Sequence, residues 1–326
     1  MMSVPVVETR GLVKRYDDQL AVAGIDLVIG PGEIFGLVGP NGAGKTTTMK
    51  ILATLLAPSS GEAFVTGIPV AADPIEVRRR IGYMPDFYGV YDDLRVWEYL
   101  DFFARCYGIG ASRRSAMIGE LLEIVGLTDK RDAYVETLSR GMRQRLCLAH
   151  TLVHDPTLLI LDEPASGLDP RARVEMREIL RELRAMGKTV LVSSHILPEL
   201  GELCTGVAII DHGRVLRAGN IADIERSLRA TALLRIDILG DPDAVLAASN
   251  WIGTDPRVGN VLPVDGAEPA ARLEVAFDGT PDEQAELLRR MIEAGHRVVG
   301  FKQATSDLEE LFLQVTGQYD PNGVAA

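Results

Sequence analysis

The run Gly39-Pro40-Asn41-Gly42-Ala43-Gly44-Lys45-Thr46-Thr47 constrains this chain more than any other segment. It matches the pattern G-x-x-x-x-G-K-S/T and follows an apolar stretch, Glu33 to Val38, that reads as a strand. A strand that ends in such a turn and feeds a helix from about Gly44 suits one task. Backbone N–H groups wrap a row of phosphates, which a side chain in the turn would obstruct. Lys45 brings a mobile positive charge to the terminal phosphates, and the Thr46 hydroxyl is placed to ligate Mg²⁺. The helix points its positive end at the anion. The turn therefore predicts binding of a nucleoside triphosphate through residues 39–47.

The chain has 326 residues, enough for one large domain and a small one. Its formal net charge of −12 argues against nucleic-acid binding, which needs a positive footprint. Cys106, Cys147 and Cys204 show neither metal nor disulfide spacing, which suits a reducing cytosol. Cys147 reads as a small buried hydrophobe. Glu8, Arg10 and Lys14 interrupt any signal-peptide core, and no apolar run reaches the length of about 18 residues that spans a membrane.

Short apolar runs alternate with helical patterns as far as about residue 230, which predicts an α/β domain with parallel strands. Thr157–Leu161 and Lys188–Val192 read as buried strands. Met176, Ile179, Leu180 and Leu183 keep helical spacing between them, and Asp169-Pro170 opens that helix with a cap and a proline in the first turn. Val207–Ile210 and Val215–Ala218 flank Asp211-His212-Gly213-Arg214, a hairpin signal. The expected organisation is a nucleotide-binding domain over residues 1–228 and a small α+β domain over 229–317, followed by a frayed tail at 318–326. In the small domain, residues 233–238 and 272–277 alternate as half-solvated strands, and 253–268 read as a loop. Residues 281–294 form an amphipathic helix, His296–Phe301 another strand, and Ser306 caps a closing helix to Val315.

The second strong pattern is Leu158-Leu159-Ile160-Leu161-Asp162-Glu163-Pro164. A buried apolar strand ending in two carboxylates is costly unless something cationic meets them. With a phosphate loop upstream, Asp162 belongs beside the Mg²⁺ held by Thr46. Glu163 reaches the water in line with the γ-phosphate and acts as its base. A third pattern is Ser139, a natural N-cap, before a helix whose Met142, Leu146, Ala149 and Val153 share one face. Its head offers a second anion site.

In this order the segments resemble the ATPase subunit of ATP-binding-cassette transporters over residues 5–225. The resemblance implies a P-loop ATPase fold with a helical subdomain, with ATP and Mg²⁺ as cofactors. Leu138–Met142 stands where the family has its LSGGQ signature, Ser166–Asp169 looks like the D-loop, and His195 looks like the switch histidine that contacts the γ-phosphate. Tyr16 sits where an aromatic ring stacks on adenine. The resemblance thus implies Glu163, His195 and Asp86 as catalytic residues. Tyr16, residues 39–47, Ser139 and Gly141 then bind nucleotide, while Thr46 and Asp162 hold the metal, with Asp86 near it. Two departures stand out: Arg140 and Met142 occupy signature places where Gly and Gln are common, and Asp86 stands where the Q-loop has a glutamine.

Nine of the 18 aromatic residues fall between Tyr83 and Tyr107. Aromatic side chains anchor interfaces, and in the family this region receives a helix of an integral membrane permease subunit. Residues 86–91 are assigned to that groove, and Trp97, Phe102 and Phe103 to the core of the helical subdomain. Arg78-Arg79-Arg80 reads as a solvated helix face. One phosphate loop and one signature imply a homodimer or a pairing with a sister ATPase, since each ATP in the family lies between two subunits. Residues 306–317 resemble ATPases of the ABC-2 type, which implies an exporter subunit, cytoplasmic and peripheral on the inner face of the cell membrane. A soluble ATPase of the same superfamily, acting in DNA repair, translation or cofactor assembly, and a regulatory nucleotide-binding subunit remain as alternatives.

Overall fold

Ile34–Val38 (β3) is buried at all five positions, and the sheet that carries the phosphate loop is built around it. The computed structural model describes residues 4–87, 89, 91, 93–196, 200, 201, 203–221, 232–264 and 270–303. It divides into two compact units, Met1–Ile221 and Ala222–Ala326. The expected boundary at 228 falls in 222–231, outside the described residues, as do the closing helix from Ser306 and the tail at 318–326.

In the first unit, β3 lies within a six-stranded sheet with Ile81–Met84 (β6), Leu158–Leu161 (β7), Thr189–Ser194 (β8), Gly206–Asp211 (β9) and Arg214–Asn220 (β10), in the order β10-β9-β3-β8-β7-β6. The strands from β9 to β6 run parallel. Parallel strands covered on both faces need unbroken buried runs, and β7 and β8 are buried throughout. The hairpin β9–β10 turns at His212 and Gly213, both left-handed with φ 46 and 75, as a two-residue turn of this kind requires.

A second sheet departs from the expectation of parallel strands. Val7–Tyr16 (β1), Gln19–Ile29 (β2), Ser60–Val65 (β4) and Ile68–Pro69 (β5) pair antiparallel in the order β2-β1-β4-β5. The reason is local: burial alternates along β2, and Tyr16 pairs with Gln19 across a turn whose Asp17 has φ 46. The helix Lys45–Leu52 (α1) joins the sheets, since Met49, Ile51 and Leu52 share a core with Leu12 and Ile25 on one side and Leu37 and Ile160 on the other.

Val96–Cys106 (α3), Ala111–Ile124 (α4) and Arg140–Leu152 (α5) form the helical part, preceded by Pro74–Arg80 (α2). Here the expected core set is corrected. Val96, Tyr99, Leu100 and Ala104 are the buried residues of α3, Phe102 is 44% exposed, and Trp97 and Phe103 are half-buried. Helical periodicity puts positions 96, 99, 100 and 104 on one face and 102 beyond it. Arg79 and Arg80 pair with Glu76 on the exposed face of α2, as expected.

Pro170–Ala185 (α6) starts at Asp169, whose Oδ1 accepts from the Ala172 N–H at 2.9 Å. In the second unit, Ala232–Leu239 (β11), Val258–Val264 (β12), Ala270–Phe277 (β13) and Val298–Gln303 (β14) make an antiparallel sheet in the order β12-β13-β11-β14. The helices Pro242–Ile252 and Pro281–Glu293 share one core with it. The region expected as a loop, 253–268, thus contains β12. This strand is at an edge, where residue 263, a proline without an N–H, is tolerated, so its Gly and Pro do not mark a loop.

Candidate nucleotide site

The loop after β3 is held tightly before any ligand is considered. A Cβ on Gly39 would lie 2.2 Å from the Ile210 carbonyl oxygen. One on Gly44, at φ +106, would lie 2.5 Å from the carbonyl oxygen of Ala21. These two glycines are demanded by packing against β9 and β2, as well as by access for phosphates. Gly44 caps α1 with no side-chain hydrogen bond, and the first turn carries no acid. That leaves a positive helix end facing the loop.

Lys45 is 6% exposed; its Nζ donates to the carbonyls of Gly39 at 2.6 Å and Pro40 at 3.2 Å and lies 3.6 Å from Glu163 Oε1. Burial draws its pKa below the usual lysine value, against the opposing pull of Glu163, Asp162 and Asp86. Asp162, at the end of β7, is 1% exposed and accepts from Ser193 Oγ at 2.7 Å. The same Ser193 oxygen accepts from the Glu163 N–H at 2.8 Å. Glu163 itself has φ 50, a conformation a non-glycine residue adopts only when its surroundings impose it. Its Oε2 lies 3.0 Å from Nδ1 of the half-exposed His195. Ser193 was legible only as a neighbour of His195; its one sequence sign was a hydroxyl inside an apolar buried strand.

Pro40 to Thr47 line a cavity of about 270 Å³ with Tyr16, Asp86 and Glu163, and with Gln19 and Ala21, which the sequence did not single out. Thr46 and Asp86 are exposed, and the Tyr16 ring, 42% exposed, has the Lys14 ammonium 5.3 Å from its centroid. A neighbouring cavity of about 290 Å³ borders Glu163 from the α6 side, but Val174, Met176 and Leu180 give it an apolar wall unsuited to phosphates. Ser139 and Gly141 do not line the loop cavity. They stand at the head of α5, where Ser139 Oγ accepts from the Met142 N–H at 3.3 Å.

Phe87 is 92% and Tyr91 56% exposed, while Tyr88 lies outside the described residues. A cavity of about 470 Å³ is lined by Leu55, Ile75, Arg78, Arg79, Tyr83, Tyr107 and His150, among others. His150 stacks on Phe103 at 3.6 Å between centroids, and burial, helped by His154, pushes its pKa down to about 4. Cys147 is 3% exposed, with burial pushing its thiol up to about 12, as a packed hydrophobe should be.

A turn with the phosphate-loop pattern at the end of a central parallel strand, with paired carboxylates two strands along of which Glu163 lines its cavity, defines a P-loop nucleoside triphosphatase. Residues 22–166 match the ABC transporter family. Nod factor export ATP-binding protein I of Burkholderia thailandensis is 44% identical over 97% of this chain and 99% of its own length. The daunorubicin/doxorubicin resistance ATP-binding protein DrrA of Streptomyces peucetius is 39% identical over 95% of this chain and 92% of its own. A solved ATP-binding subunit of an ABC transporter is 32% identical with a TM-score of 0.61, covering 68% of this chain and 92% of that one. For cbiO1 of Clostridium perfringens, part of the ABC transporter complex cbiONQ, the identity is 26% and the TM-score 0.63, covering 70% and 95%. The chain belongs to the ABC transporter family, as an ATPase subunit. Among the described residues, no helix is long and apolar enough to cross a membrane.

Proposed function

We propose that this chain is the ATP-hydrolysing subunit of an ABC-2-type exporter, working on a separate membrane-spanning subunit from the cytoplasmic face. The observation that carries the reading is the convergence of Lys45 and His195 on the two oxygens of Glu163, beside a phosphate loop. Residues 39–47 hold the triphosphate and Tyr16 stacks on the base. Glu163 takes the proton of the attacking water, and His195 orients that carboxylate. Thr46 and Asp162, both oxygen donors, would hold Mg²⁺, with Asp86 at the rim. When bound, the ion neutralises phosphate charge.

Ser139 and Gly141 stand outside the cavity of their own chain, which favours a homodimer or a sister ATPase, each subunit closing the other's site. Export is favoured by two relatives that align over nearly the whole chain and whose names include Nod factor export and daunorubicin/doxorubicin resistance. Replacing Glu163 by Gln should lower phosphate release at least about 100-fold while ATP still binds; an active Glu163→Gln protein would remove the base assignment. The exposed Phe87 and the cavity lined by Tyr83 and Tyr107 are assigned to the membrane subunit. Phe87→Ala should weaken capture of that subunit several-fold and leave ATP affinity unchanged; undiminished capture would move the contact elsewhere.

A further inference from the structure

Between Glu163 and α6 the backbone makes two successive turns, closed by Ser166 N–H to the Glu163 carbonyl at 3.0 Å and Leu168 N–H to the Ala165 carbonyl at 3.3 Å. The head of α5 donates to two carbonyls of this segment. Gln144, 3% exposed, gives its side-chain N–H to the Pro164 carbonyl. Arg140 gives Nη2 to the Ser166 carbonyl at 3.1 Å. The Arg140 guanidinium also lies over Gly167, so close that a Cβ there would stand 2.3–2.5 Å from its atoms. Gly167 has φ 66, so this seat exists because residue 167 has no side chain.

An exposed arginine on a carbonyl is by itself a weak contact. Here its two ends matter. One end follows Ser139, which caps α5, so an anion arriving at that head meets the charge of Arg140. The other end rests on the turn that begins with Glu163, a residue already held in an imposed conformation. We infer that Arg140 is a positioning residue that couples the head of α5 to the turn carrying the Glu163 carboxylate. A glycine, common at this place in the signature, could not make the tie. The inference rests on the reading of Glu163 as the base.

The test is steady-state phosphate release by the purified full-length chain as ATP is varied. Arg140→Ala should lower kcat about tenfold through misplacement of Glu163. KM should stay within about twofold, since Lys45 and the loop keep their contacts. Gly167→Ala leaves Arg140 in the chain but evicts its guanidinium, and should give the same loss. The double variant should be no slower than the slower single, because both remove one tie. Arg140→Lys, which keeps a donor and the charge, should recover at least half of the wild-type kcat. A wild-type kcat in Arg140→Ala, losses that multiply in the double variant, or Lys no better than Ala would each overturn the inference. If Gly167→Ala does not fold, Arg140→Ala and Arg140→Lys decide. A wild-type chain that releases no phosphate brings down the ATPase reading and the inference with it. An active wild type with an indifferent Arg140→Ala brings down the inference alone.

Discussion

The heads of α1 and α5 are two candidate anion sites of this chain, and they are finished differently. The head of α1 has no side-chain cap, and its lysine is 6% exposed and lies within 3.6 Å of a carboxylate. Its loop lines a cavity with groups from β1, β2, the turn after β7 and the segment after β6. At α5, Ser139 spends its oxygen on the Met142 N–H, Arg140 is exposed, and the charge rests on the carbonyl of Ser166. The difference teaches what a phosphate site requires: helix-end donors not already answered by a side chain, and a cation that burial keeps in place. On the proposed reading, one head is a site within a single chain and the other supplies part of one.

The largest expected effect lies at the first head. Lys45→Ala removes a charged donor and should weaken ATP on the order of 100-fold, about 3 kcal/mol, in a titration with a fluorescent nucleotide. An affinity left unchanged would erase the contrast between the heads. A smaller effect is expected behind it, at Ser193, whose oxygen serves both Asp162 and the Glu163 N–H. Ser193→Ala leaves both without that partner and should cost about 1–3 kcal/mol in urea unfolding. Loss of phosphate release with unchanged ATP affinity would sharpen the division between binding and turnover. The smallest effect belongs to the second head. Ser139→Ala should cost about 1 kcal/mol of stability through the lost cap, with ATP affinity of the isolated chain unaltered. If it weakened that affinity as much as Lys45→Ala, the two heads would not differ in kind.

Much of this was legible because the rules involved are local. The strand–turn–helix at 34–52, the carboxylate-tipped strand at 158–163 and the Asp169-Pro170 helix start each depend on neighbours a few residues away. What escaped depended on distant partners. Tyr99 rather than Phe102 is buried on α3, because the face is chosen by what packs against it. Strand β12 was hidden by Gly259 and Pro263, whose loop signal is cancelled at a sheet edge. The antiparallel sheet of β1, β2, β4 and β5 was missed because an alternating strand–helix order does not reveal a hairpin inserted before it.

By itself, the sequence determined that a phosphate loop, a pair of carboxylates, a capped signature helix and a histidine occur in this order. Each is written in residues within reach of one turn or strand. Only the tertiary structure decided that Lys45 and His195 meet on Glu163, that Ser193 binds the carboxylates' turn to β8, and that Arg140 settles on Gly167. These contacts join segments far apart in the chain. For the contacts at Glu163 the distances are set by the order in which β3, β8 and β7 pair, which no local pattern encodes.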